Sequence, residues 1–437
     1  MKRSEEFLER RNNVVPRGIG TFNPATAISA NNATIINADG EELIDFVGGI
    51  GVLNAGHCPE SVVEAIYQQA KTLMHTCFHI ATYEPYLELC EKLADLFPHG
   101  EKTKVMLTNT GAESVENAIK IARQATGRSA IITFTGAFHG RSMMAMSLTS
   151  KVAYKVGCGP YAPEVYRIPY PNFYKNHQGL DEDAFVEREL YRFHKTLHQM
   201  VDVSQVAAVI IELVQGEGGF VICPKGYAQG LRKICDEFGI VLIIDEVQSG
   251  FCRTGKWSAY EHYGITPDIS TWAKSMGSGM PIGAVVGRAD IMDAAQPGTI
   301  GGTYLGNPVC CAASIATIKF MEENNLNQRG IEVGEKCMQA FESLQEKYPE
   351  VIGDVRGLGA MVAFELVHDG DSSRPNSELC AKLLGNCAKR NTIIISAGTY
   401  KNVIRILSPL TIPDELLEKG LGIITEEFEK LMESVIA

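Results

Sequence analysis

Long hydrophobic runs are missing from this sequence of 437 residues. The longest, around positions 206–211 and 240–244, fall far short of the roughly 20 apolar residues that a membrane-spanning helix needs. Positive charge is in deficit: 40 Lys plus Arg stand against 52 Asp plus Glu, a net charge of -12. Such a chain is a poor binder of the nucleic-acid backbone, which calls for a basic face. The opening stretch MKRSEEFLERRNN is charged throughout and lacks the apolar centre of a secretory signal. The 12 Cys include no CxxC pair, so reduced, mostly buried thiols in a cytoplasmic protein are expected. Repeats and low-complexity tracts are absent as well.

What is present fits an enzyme-sized globular chain. Apolar residues make up 45% and charged residues 21%, values incompatible with disorder. The length allows one large or two to three smaller domains. Gly is plentiful at 42, as expected of tight turns or of backbone held close to a ligand.

Short β-rich runs alternate with helical patterns through the middle of the chain. Strands are expected at 104–107, 130–135, 206–213 and 240–244, with a helix over 227–238. Near-continuous apolar strands separated by amphipathic helices predict a mostly parallel α/β sheet covered on both faces. Over 113–126, Val115, Ala118, Ile119, Ala122 and Ala125 recur at helical spacing, and Thr110 with Glu113 has the spacing of a capping box. A polar break at 322–330 (EENNLNQRG) follows an apolar helix over 312–321. The expected division is a large domain over 61–325 and a smaller α+β domain over 326–437, joined by residues 1–60.

Three stretches carry candidate chemistry. In TNTGAESVENA (108–118), a strand enters a Gly turn and then a helix. Amides of Gly111 and Ala112 would face outward at a helix amino terminus, which either attracts a phosphate or is simply capped. In IVLIIDEVQSG (240–250), Asp245 ends an apolar strand, where ligands bind in parallel sheets, or else it caps the following turn. In STWAKSMGSGMPIGA (270–284), Lys274 precedes Gly277, Ser278 and Gly279. It is either a solvated surface cation or an amine nucleophile whose pKa burial lowers.

Metal ligation is not expected. His75, Cys77 and His79 alternate and would share one face of a strand, His194 and His198 lie four apart without the Glu of HExxH, and Cys310 and Cys311 are adjacent. None makes a four-ligand set at finger or catalytic zinc spacing.

Together these segments resemble the class III, or ω-amino-acid, family of pyridoxal-phosphate-dependent aminotransferases, those of 4-aminobutyrate above all. The most specific likeness is IDEVQSGFCRTGKW (244–257), with Lys274 in TWAKSMGSG lying 29 residues after Asp245. It extends through PRGIG, DFVGGIGVLNAGH, FTGAFHGR, IELVQGEGGF, GGTYLGNP, DVRGLGAM and NVIRILSPLTI, nearly the whole chain.

The resemblance implies fold type I and a set of roles. Lys274 would attach the aldehyde of pyridoxal 5'-phosphate and carry a proton during catalysis. Asp245 would pair with the ring nitrogen, Gln248 with the phenolate oxygen, and Val247 and Phe138, beside His139, would cover the two ring faces. Gly111 and Ala112 would cradle the phosphate, and Thr303 would reach it from the second subunit of a homodimer. Arg141 would clamp the carboxylate remote from the amine. Arg405 would take the second carboxylate of glutamate or 2-oxoglutarate, and Glu217 would pair with Arg405 when a one-carboxylate substrate is bound. Ile50 would line the substrate chain, with His79 nearby. The implied reaction moves the amino group of 4-aminobutyrate to 2-oxoglutarate by a ping-pong route. Ornithine, acetylornithine, 5-aminovalerate and β-amino-acid enzymes share the cofactor residues. A non-catalytic regulatory protein is disfavoured by Lys274, Asp245 and both arginines, and a nucleotide-binding oxidoreductase by the missing glycine fingerprint.

Overall fold

Val206–Ile211 is buried along its whole length, and so are Ala130–Phe134, Val241–Asp245 and Ile269–Trp272. Strands of this kind need cover on both faces, and they form the middle of a seven-stranded sheet. The computed structural model describes residues 2–436. In chain order the strands are β1 (Thr103–Thr108), β2 (Ala130–Phe134), β3 (Val165–Ile168), β4 (Val206–Ile211), β5 (Val241–Asp245), β6 (Ile269–Trp272) and β7 (Gly283–Arg288). They lie in the order β1-β7-β6-β5-β4-β2-β3. Only β7 runs against the rest, antiparallel to both β6 and β1. The carboxyl ends of the other six therefore share one edge.

The helix Gly111–Thr126 buries Val115, Ala118, Ile119 and Ala122 of the stripe read from the sequence and leaves its fifth member, Ala125, partly buried. Its expected capping box is half realised. Thr110 Oγ1 accepts from Glu113 N at 3.2 Å, but the Glu113 carboxylate accepts from Asn109 N at 2.8 Å rather than from Thr110. The polar break after Pro308–Glu323 is a two-residue joint, with Asn325 at φ 47, before a second helix, Leu326–Lys347.

A second, antiparallel sheet joins Ile352–Leu358, Met361–His368, Val403–Ile406 and Ile395–Ala397. Near it, Thr392–Ile393 pairs in parallel with Glu42–Asp45, so early and late parts of the chain build one sheet. The segment around His75, Cys77 and His79 is irregular, with Cys77 at φ 58. The shared face that a strand there would give the three side chains is therefore not formed. All 12 Cys are free and eight of them are buried. Among the described residues no helix is long and apolar enough to cross a membrane.

Candidate active site

Five loops leave the shared carboxyl edge and enclose a cavity of about 500 Å³. After β1 come Gly111 and Ala112, and after β2 come Phe138, His139 and Arg141. Glu212 and Glu217 follow β4, Asp245, Val247 and Gln248 close β5, and Lys274 follows β6. Parallel strand ends collect a site in this way because each following loop is free to vary while the sheet fixes its origin.

Lys274 stands at φ 51, a left-handed conformation that few side chains adopt. Its ε-amine faces the cavity and has no ion-pair partner among the described residues. Burial pushes its pKa down to about 8, against the opposing pull of Glu217. Asp245 lies on the strand beside it, in register with Thr271, and is 4% exposed. Its Oδ2 is 2.7 Å from His139 Nδ1, and its Oδ1 accepts from Val247 N at 3.0 Å. Gln248 Oε1 and His139 Nε2 are buried without a hydrogen-bond partner among the described residues, and such atoms call for one. Gly111 opens the helix close to Val247: a Cβ there would come within 2.8 Å of Val247 Cγ1.

Arg141 is exposed at the mouth and makes no ion pair among the described residues; its guanidinium lies 5.9 Å from the Tyr154 ring. Arg405, on Val403–Ile406, is 2% exposed. Its Nη2 is 2.5 Å from Glu217 Oε1, and its Nη1 donates to Gly216 O at 3.0 Å. Burial works against an ionised Glu217, but Arg405, with Lys151 and Lys274, holds its carboxyl below the usual range.

Three expected residues stand apart from the cavity wall. Thr303 and His79 are exposed. Ile50 lies in a kink at φ 67 and ψ 49, costly for a β-branched side chain. Its neighbour Val52 reaches the cavity instead, and Ser275 Oγ ties this loop to the Lys274 turn by donating to Gly51 O at 3.0 Å.

Two residues escaped the sequence reading. Glu212 accepts from Phe138 N at 2.9 Å and from Gly216 N at 3.1 Å, linking the β2 and β4 loops. Burial pushes its pKa up to about 7, opposed by His139. Its signal was a lone acid inside an apolar run, IIELVQ. Tyr154, which donates to Glu217 Oε2 at 3.0 Å, left no such mark.

A lysine and an acid facing one cavity at the ends of neighbouring strands, in this mixed sheet, match the α/β architecture of fold type I. A family model described as aminotransferase class-III matches residues 20–428. The chain belongs to that family. It is 47% identical over 98% of its length to a 5-aminovalerate aminotransferase of Pseudomonas aeruginosa, covering 99% of that protein. It is 44% identical over 98% of its length to a 4-aminobutyrate aminotransferase of Escherichia coli, again covering 99%. Among solved structures, a taurine:2-oxoglutarate aminotransferase from Bifidobacterium kashiwanohense, in complex with PLP and glutamate, superposes with a TM-score of 0.91 at 27% identity, with 99% of each chain covered. The residues of this cavity fit pyridoxal phosphate: an amine with no ion pair among the described residues, a buried acid, the side-chain amide of Gln248 and a helix amino terminus for a phosphate.

Proposed function

We propose that the chain is a 4-aminobutyrate:2-oxoglutarate aminotransferase, releasing succinate semialdehyde and then glutamate. The observation that carries the reading is the arginine arrangement. Arg141 is exposed at the mouth with no ion pair among the described residues, whereas Arg405 is buried and already neutralised by Glu217 at 2.5 Å. A substrate with one carboxylate needs only the first; one with two must displace Glu217 from the second.

The cofactor is pyridoxal 5'-phosphate. When bound, it supplies a carbonyl that takes up the amino group and a ring that acts as an electron sink. Lys274 would hold it and shuttle a proton at its ε-nitrogen, a task suited to an amine whose pKa is about 8. Asp245, oriented by His139 and Val247 N, would face the ring nitrogen. Gln248 would donate to the phenolate oxygen and Gly111 and Ala112 would bind the phosphate, with Val247 and Phe138 packing on the ring faces. Ile50 would border the substrate chain. Thr303, exposed on one protomer, would complete the site of a second copy in a homodimer. The same reading divides the chain into a large domain over 61–325 and a small one over 1–60 with 326–437, and places the enzyme in the cytoplasm.

5-Aminovalerate is the second reading, favoured by the 47% identity to an enzyme of that name. One methylene is worth only about 1–3 kcal/mol in a pocket. Single-turnover rates with a panel of ω-amino acids separate the two. The highest kcat/KM is expected for 4-aminobutyrate; a higher value for 5-aminovalerate would reverse the assignment.

A further inference from the structure

In the reading above, the choice between one-carboxylate and two-carboxylate substrates depends on where the Glu217 side chain sits. Its backbone is pinned: Gly398 N donates to Glu217 O at 3.0 Å, and Gly216 O is held by Arg405 at 3.0 Å. Movement is left to the side chain, and both of its oxygens are engaged. Oε1 meets Arg405 at 2.5 Å, and Oε2 accepts from the Tyr154 hydroxyl at 3.0 Å.

That second donor belongs to a short 3-10 turn, Val152–Tyr154. Its ring is itself positioned, packing edge-on against Phe138 with centroids 5.3 Å apart. The Arg141 guanidinium lies 5.9 Å and Lys151 Nζ 5.4 Å from its centre. One side chain thus touches the arginine at the mouth and the acid that covers the arginine inside.

We propose that Tyr154 is a positioning residue that sets substrate specificity: its hydroxyl holds Glu217 over Arg405 and biases the site towards substrates with a single carboxylate. This rests on the Glu217–Arg405 exchange in the proposed function. A hydroxyl donating to a carboxylate makes a charge-assisted bond, stronger where water is excluded. When a second substrate carboxylate takes Arg405, Glu217 must leave the hydroxyl as well. The bond is lost on that branch alone, so it discriminates between substrate classes instead of supporting both equally.

Tyr154→Phe keeps the ring and deletes the donor. The test compares kcat/KM for 4-aminobutyrate and for glutamate, each in its own half-reaction, in the parent, Tyr154→Phe, Glu217→Ala and the double variant. The ratio of the first to the second is expected to fall about tenfold in Tyr154→Phe, the scale of one hydrogen bond to a charged group. In the Glu217→Ala background the same change should have no effect, because the hydroxyl has nothing left to hold. A ratio unmoved by Tyr154→Phe but shifted by Glu217→Ala overturns the role of Tyr154 and leaves the exchange standing. A ratio unmoved by either variant overturns the exchange, and the role with it. Equal losses in both half-reactions, or the same loss with Glu217 already gone, mean that Tyr154 acts only on packing and also overturn the proposal.

Discussion

His139 Nδ1 lies 2.7 Å from Asp245 Oδ2, and both side chains are buried. Among the described residues only Val247 N otherwise donates to that carboxylate. The imidazole therefore acts through Asp245, keeping an acid buried and aimed at the cavity.

His139→Phe removes the imidazole donor from Asp245 Oδ2 in a buried setting, which costs about 1–3 kcal/mol. Denaturant unfolding of the holoenzyme should show a loss of that size. Turnover should fall by up to about 100-fold, as expected when a reacting group is misplaced.

Arg141→Ala and Arg405→Ala should differ in kind. Loss of a charged carboxylate contact costs about 2–5 kcal/mol. Arg141→Ala should weaken both half-reactions on that scale, whereas Arg405→Ala should damage mainly the one with glutamate or 2-oxoglutarate. Equal effects of Arg405→Ala on the two, read by single-turnover absorbance, would refute the two-carboxylate scheme.

Glu212 offers a pH signature. Burial raises its pKa from 4.5 to about 7, so between those values the folded chain keeps a proton that the unfolded chain releases. Its contribution to stability is fully present below pH 4.5 and is lost as pH climbs to about 7. Glu212→Gln should flatten that part of a melting-temperature profile, measured side by side with the parent.

Much of this was legible in the sequence because the signals are local. The run at 240–244 announces a doubly buried strand, which leaves the acid that ends it either at a ligand-binding edge or capping the next turn. The stripe Val115, Ala118, Ile119 and Ala122 likewise fixes a helix face. Tyr154 was not legible, since its role lies in a bond to a residue 63 positions away, and KVAYKVGCG carries no periodic pattern.

The central claim is that the ε-amine of Lys274 carries the cofactor. Borohydride reduction of the coloured holoenzyme, followed by digestion and mass spectrometry, tests it directly. The account predicts a phosphopyridoxyl mass on Lys274 alone. A stable adduct on a different lysine, or a fully active enzyme in which Lys274 is unlabelled, would contradict it.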